Sequence, residues 1–229
     1  MNNNSVNEVN AVIKTLDSSL PDISVIENNV PNATALVIFA HGAGADKSSD
    51  YMQTMAELLN VHKINVLRFN FAYMDRRLAD NKRYPPERMP KLLTCLNSVL
   101  SQIDTSLPVF LAGKSMGGRV AATLAESELE KVKGVMCIGY PFHPQKQPEK
   151  LRLEPLQKTL LPILIVQGDR DALGNESEIA DYEISSLCQV SFLADGDHNL
   201  KPRVKSGFTH QQHLQSAINL MKNFIIEKR

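Results

Sequence analysis

Gly113-Lys114-Ser115-Met116-Gly117 follows the apolar run Leu107-Pro108-Val109-Phe110-Leu111-Ala112 and precedes a stretch in which Val120, Ala121, Leu124 and Ala125 recur at helical spacing. A short apolar run suits a buried strand, and the recurrence after it suits a helix with one apolar face. The pentapeptide between them is a strand-to-helix turn of the form Gly-x-Ser-x-Gly. In such a turn the flanking glycines let the backbone bend sharply and leave the serine hydroxyl exposed. Ser115 is therefore a candidate nucleophile, with a plain Gly/Ser turn as the competing reading.

Outward from this turn, apolar runs at Ala35–Ala40, Ile64–Phe71, Val109–Ala112, Gly134–Gly139 and Ile163–Gln167 read as buried strands, with Val190–Leu193 as one more. Helical stripes lie between them: Met52, Met55, Ala56 and Leu59 form one, and Leu92, Leu96, Val99, Leu100 and Ile103 another. A last helix carries Leu214, Ala217, Ile218, Met221, Phe224 and Ile225 on one side. Alternating strands and helices of this length predict an α/β fold over residues 1–229. A mostly parallel central sheet has helices on both faces, and ligands gather at the carboxyl ends of its strands. The Asn-rich start, residues 1–10, is expected to fray.

The 72–88 segment has no sustained apolar period, carries Arg76, Arg77, Lys82, Arg83 and Arg88, and includes the turn-forming pair Pro85-Pro86. It reads as a loop or short lid, and its charge suggests substrates with an anionic group. Only Pro141–Leu160 separates two predicted strands, which leaves no room for a large cap domain and implies an open site.

Bulk properties narrow the function. The 229 residues hold 25 basic and 25 acidic side chains, so the electrostatic footprint of a nucleic-acid binder is missing and no nucleic-acid partner is expected. Cys95, Cys137 and Cys188 lie far apart without metal-ligand spacing, which argues for reduced thiols and against a disulfide framework or a zinc site. The start Met1-Asn2-Asn3-Asn4-Ser5 lacks the basic and apolar regions of a signal peptide, and no run approaches a membrane span. The expected compartment is the cytoplasm, with no membrane partner, metal or cofactor.

A serine hydroxyl needs a base, and the base needs a group that fixes its tautomer. Gly168-Asp169-Arg170-Asp171 follows the Ile163–Gln167 run, and Gly196-Asp197-His198 follows Val190–Leu193, so both would emerge at the same sheet edge as Ser115. His198 is the candidate base, with Asp171 and Asp169 competing for the acid role. The oxyanion of an acyl-transfer intermediate needs two donors, the amide of Met116 and one from the turn after His41-Gly42, where Ala43 leads and Gly44 is the alternative. Lys114 and Arg119 read as surface or salt-bridge groups. His62 reads as structural, and His210 and His213 as a solvated helix face rather than metal ligands.

These pieces resemble the α/β-hydrolase superfamily near its dienelactone-hydrolase-like branch. More narrowly, the chain is similar to small hydrolase-like proteins related to a domain of a subunit of the non-specific-lethal histone acetyltransferase complex. The resemblance rests on Phe39-Ala40-His41-Gly42-Ala43-Gly44-Ala45, Phe71-Ala72-Tyr73-Met74, Gly113 to Arg119, Gly139-Tyr140-Pro141-Phe142-His143-Pro144, Gln167 to Asp171 and Asp197-His198, and spans most of the chain. The chain departs from dienelactone hydrolases proper, which carry a cysteine where it has Ser115.

The resemblance implies a triad of Ser115, Asp171 and His198, with the acid at the end of the Gly-x-x-Asp turn. The implied activity is serine hydrolysis of a small ester, thioester or lactone, whose acyl compound is the one expected small-molecule partner. Candidate substrate contacts are Tyr73, Arg77 and His143, the last explained equally well by turn packing with Pro141 and Pro144. A lyase or perhydrolase could use the same three groups. The alternative from another class is a non-catalytic hydrolase-like module that binds a partner protein, against which the full set of triad candidates argues.

Overall fold

Successive side chains of a strand point to opposite faces of its sheet, and in the central strands of this chain both faces are apolar. In β3 (Ala35–Ala40), Val37 and Phe39 enter one buried cluster while Ile38 and Ala40 enter another. The computed structural model describes residues 7–13, 22–127 and 130–229. Its remaining strands are β1 (Asn7–Ile13), β2 (Ile23–Asn29), β4 (Ile64–Phe69), β5 (Val109–Lys114), β6 (Val132–Ile138), β7 (Ile163–Gly168) and β8 (Cys188–Leu193). They form one sheet in the order β1-β2-β4-β3-β5-β6-β7-β8. Strands β3 to β8 are mutually parallel, whereas β1 and β2 run antiparallel to their neighbours.

Helices α1 (Asp50–Val61) and α7 (His210–Lys228) cover one face, and α3 (Met89–Ser101) and α4 (Met116–Leu124) the other. The expected stripes are the buried ones: Met52, Met55, Ala56 and Leu59 of α1, and Leu214, Ala217, Ile218, Met221, Phe224 and Ile225 of α7. Thr209 and Gln212 close a capping box that starts α7, satisfying two amides that the first helical turn leaves without partners. The short helices α5 (Glu154–Lys158) and α6 (Glu176–Ile179) flank β7. Only α5 lies between β6 and β7, so no large cap is present. Among the described residues no helix is long and apolar enough to cross a membrane.

Two expectations change. The 72–88 segment is not a loop throughout: α2 (Ala72–Asp80) occupies its first half. Tyr73 and Met74 are buried there and Asn81 ends the helix with φ 49°, a left-handed stop suited to asparagine. Nine residues hold too few apolar positions to show a sustained period. Of the residues expected to fray, 7–10 belong to β1, paired with β2 from Asn7↔Asn29 onward, and 1–6 lie outside the described residues.

The strand order fixes where a site can form. From β3 the chain crosses to β4 on one side, and β5 returns to the other, so the carboxyl ends of β3 and β5 flank the point where winding reverses. Ligands of open α/β sheets bind at such a point. The turn after β3 is His41–Gly44, and Ser115 follows β5.

Candidate active site

Ser115 adopts φ 51° and ψ −114°, a strained conformation for a residue with a side chain. Holding it costs on the order of 1–3 kcal/mol, which the surrounding packing must offset. The flanking glycines make the turn possible. A Cβ on Gly113 would lie 2.2 Å from the Gly117 carbonyl carbon, and one on Gly117 would lie 2.5 Å from the Ala40 carbonyl oxygen. Chain and sheet approach too closely there for any side chain but hydrogen.

His198 lies in the loop after β8, and its Nε2 is 2.8 Å from Ser115 Oγ. Its Nδ1 is 2.8 Å from Asp171 Oδ2. Since a carboxylate only accepts, the proton on Nδ1 points to Asp171 and Nε2 is left to accept from the serine. Asp171 is fully buried, yet every requirement of its carboxylate is met: Oδ1 accepts from the Leu173 amide at 2.8 Å and Oδ2 also from Gln167 Nε2 at 3.0 Å. Gln167 in turn spans the carbonyls of Tyr140 and Gly174, tying the acid to the loops after β6 and β7. Of the two aspartates, Asp171 is the one in contact with His198. The Asp169 backbone is bonded to Leu193 and Glu176, and its Oδ1 is buried without a partner among the described residues.

Lys114, expected at the surface or in a salt bridge, is buried. Its Nζ donates to the His198 carbonyl at 2.5 Å, and burial pulls its pKa from 10.5 down to about 8 against the pull of Asp171 and Asp197. The turn that bears Ser115 thereby holds the histidine loop directly.

His41 performs a similar office across the mouth. It is fully buried, donates from Nδ1 to the Gly42 carbonyl at 2.7 Å and accepts from the Phe71 amide on Nε2 at 3.1 Å. Burial lowers its pKa to about 4, so it is neutral at pH 7 and fixes the turn relative to the start of α2. Tyr73 Oη and Arg77 Nη1 donate to the Ala43 carbonyl at 3.2 and 3.1 Å. With that carbonyl held, the peptide plane of the turn is set. The amides of Ala43 and Met116 have no acceptor among the described residues.

Two cavities meet at Ser115. One, of 580 Å³, is lined by Gly44, Tyr51, Ser115, His198, Lys201 and His210 among others. The other, of 660 Å³, is lined by Met116, Arg88, Arg119, Arg152 and Leu173 beside Ser115. Ala43 lines both, Gly44 only the first. A third cavity, of 350 Å³, opens against Leu36, Asn65 and Leu107 at the amino ends of the strands, away from Ser115.

The three candidate substrate contacts line neither cavity at Ser115. Tyr73 is buried beneath the turn it holds, and Arg77 spends its guanidinium on the Ala43 and Tyr84 carbonyls while stacking on the Tyr73 ring. His143 is buried between the Pro144 carbonyl and Glu178. Proximity in sequence to the mouth put these residues near the site, but their polar atoms are committed to its scaffold. The histidines of α7 also differ from expectation. His213 is buried, with Nδ1 2.8 Å from the Leu200 carbonyl and its ring against Phe208, and His210 lines the first cavity.

The fold has counterparts among known proteins. Residues 33–226 match the alpha/beta hydrolase domain family, and the chain belongs to it. It superposes on a dienelactone hydrolase from Anabaena variabilis with a TM-score of 0.75 at 20% identity, covering 97% of this chain and 98% of that one. Est1E from Butyrivibrio proteoclasticus gives 0.70 at 16% identity, covering 96% and 98%. Alpha/beta hydrolase domain-containing protein 10 from mouse gives 0.70 at 16%, covering 96% and 99%. At these identities the likeness is one of fold. In sequence, the chain is 25% identical over 205 residues to the Mycobacterium tuberculosis protein named "Putative phosphoribosyl transferase Rv0571c". The match covers 83% of this chain and 45% of that one, so the chain spans less than half of that relative.

Proposed function

We propose that the chain is a serine hydrolase that cleaves a small ester, thioester or lactone through an acyl-enzyme on Ser115. The observation that carries this reading is the unbroken relay of two 2.8 Å contacts from Ser115 Oγ through His198 to Asp171, ending at a serine that opens on two cavities.

In the first half-reaction, His198 Nε2 takes the hydroxyl proton as Ser115 Oγ bonds to the carbonyl carbon, and the carbonyl electron pair moves onto oxygen. The amides of Met116 and Ala43 receive that oxyanion. Ala43 is favoured over Gly44 because it borders both cavities at Ser115. Each donor is worth about 2.7–4 kcal/mol in the transition state. Asp171 stabilises the imidazolium without taking its proton. Collapse breaks the bond to the leaving group, which departs with the proton from His198 Nε2. Water, deprotonated by the same nitrogen, then adds to the acyl carbon, and Ser115 Oγ leaves protonated. Lys114 and His41 act through others, one holding the histidine loop and one the turn that bears Ala43.

A fluorophosphonate probe tests this, because an activated serine reacts and an inert one does not. Labelling is expected in the native chain and absent in Ser115→Ala, along with turnover of p-nitrophenyl esters. A native chain that neither labels nor turns over any ester would instead support a partner-binding module.

A further inference from the structure

The two cavities at Ser115 differ in charge, and the chemistry of acyl transfer says which part of a substrate enters each. The departing atom must collect its proton from His198 Nε2, so the leaving group lies on the side that His198 lines. That is the 580 Å³ cavity, which also includes Asn199 and Lys201. The acyl chain is directed the other way, into the 660 Å³ cavity, which Ser115 and Met116 line and His198 does not.

This second cavity carries Arg88, Arg119 and Arg152 against a single acid, Glu87. Glu87 is already taken, its Oε1 lying 2.7 Å from Arg76. Among the described residues none of the three guanidinium groups has an ion-paired carboxylate, and Arg119 Nε is buried without an acceptor. Burial lowers the pKa of Arg152, and the charge of Arg119 lowers it further. Two partly buried like charges are costly where they stand, and an anion between them would offset that cost. Guanidinium forks suit such a ligand because they bind oxyanions in a fixed, two-pronged geometry. The arginines expected for this task from sequence, Arg76 and Arg77, are spent on Glu87 and on backbone carbonyls.

We propose that Arg119 and Arg152 form an acyl-side anion subsite, selecting esters or thioesters whose acyl chain ends in a carboxylate. Arg88 stands exposed at its rim. The proposal rests on the hydrolase reading and deepens it by naming the acyl class.

The test compares mono-p-nitrophenyl adipate with p-nitrophenyl hexanoate, which share leaving group and acyl length and differ in the terminal carboxylate. The native chain is expected to favour the adipate ester in kcat/KM by about tenfold or more. Arg119→Gln and Arg152→Gln should each shrink that ratio by about tenfold, whereas a merely structural role would lower both rates and leave the ratio alone. A native ratio near one, or a ratio that survives both substitutions, overturns the subsite. Calorimetric titration of Ser115→Ala with adipate reads the same site without turnover, the expected heat being lost on adding Arg152→Gln. If neither these nor any other p-nitrophenyl ester is cleaved and the serine takes no fluorophosphonate label, the hydrolase reading fails by itself. Adipate heat that depends on Arg152 would then still support the anion site, and no heat would end it.

Discussion

Arg68 of β4 and Lys114 of β5 are buried cations on one sheet, and the two regions around them satisfy their cations in opposite ways. Arg68 is 1% exposed, and its guanidinium reaches Asn28 Oδ1 at 3.0 Å, the Lys47 carbonyl at 2.6 Å and Glu8 Oε2 at 3.0 Å. Lys114, at 7%, has three donors and, among the described residues, one acceptor, the His198 carbonyl. The β1–β2–β4 flank thus gives its buried cation a full set of partners. The carboxyl edge leaves groups incomplete around Ser115: Lys114, the Nε of Arg119 and the open amides of Ala43 and Met116. Incomplete satisfaction costs stability and supplies electrostatics aimed at a ligand.

Asp171→Asn should break this contrast most severely. The carboxylate accepts from His198, the Leu173 amide and Gln167. With its oxygen at the Oδ2 place the amide keeps His198 and Gln167 but sets its NH2 against the Leu173 amide; reversed, it keeps only Leu173 and presents a donor to Nδ1, turning the imidazole toward the wrong tautomer. A loss of about 10⁴-fold in kcat is expected. Thermal unfolding alongside ester kinetics checks it, and a variant within tenfold of the native rate would show that the buried acid serves the fold alone.

Lys114→Met sharpens the comparison by separating stability from rate. The folded-state pKa is lowered, so the unfolded chain holds a proton that the folded one gives up between about pH 8 and 10.5. The cost of the buried charge is therefore full below pH 8 and disappears as the pH rises to 10.5. A drop from 10.5 to about 8 corresponds to about 3 kcal/mol, an upper figure for the gain because the bond to the His198 carbonyl is lost with the charge. The variant should be more stable at pH 7, with the gain fading by pH 10.5. It should also be slower by about ten- to a hundredfold, since small displacements of a catalytic group are expensive. Urea unfolding at pH 7 and pH 10.5, with kcat at pH 7, reads both. A variant that is less stable at pH 7 and equally fast would place Lys114 with Arg68 as a structural cation.

The two regions were also unequally legible in the sequence. At the carboxyl edge, close packing fixes residue types in order: Gly113 because it abuts the Gly117 and Gly118 backbone, Gly117 because it abuts Ala40, with Ser115 between them and the acid and histidine after later strands. The parallel strands read through as apolar runs because both faces are buried. What escaped was orientation. Lys114 and Arg119 flank the serine by sequence, but whether such side chains turn outward or inward depends on β6 and the loop after β8, which no local pattern encodes. Tyr73 and Arg77 read as candidate substrate contacts, whereas their polar atoms serve the Ala43 carbonyl. The β1–β2 pair was invisible for another reason. Asn7–Ile13 opens on polar residues and lies at the sheet edge, with Glu8, Val9 and Asn10 exposed, so no long apolar run marks it.

Glu8→Gln probes that edge and carries the smallest expected effect. The Glu8 side chain is 46% exposed, so its charge is largely screened, and it serves both Arg68 and Asn28 Nδ2 through one oxygen. Glutamine keeps an acceptor at that place, and Arg68 retains Asn28 and the Lys47 carbonyl. The expected loss is at most about 1 kcal/mol, with kcat/KM unchanged. A loss of about 3 kcal/mol or more would mean that Arg68 behaves as a buried ion stripped of its counter-charge. In that case β1 would be a pinned strand on which the flank depends, and the contrast with the carboxyl edge would rest on one carboxylate.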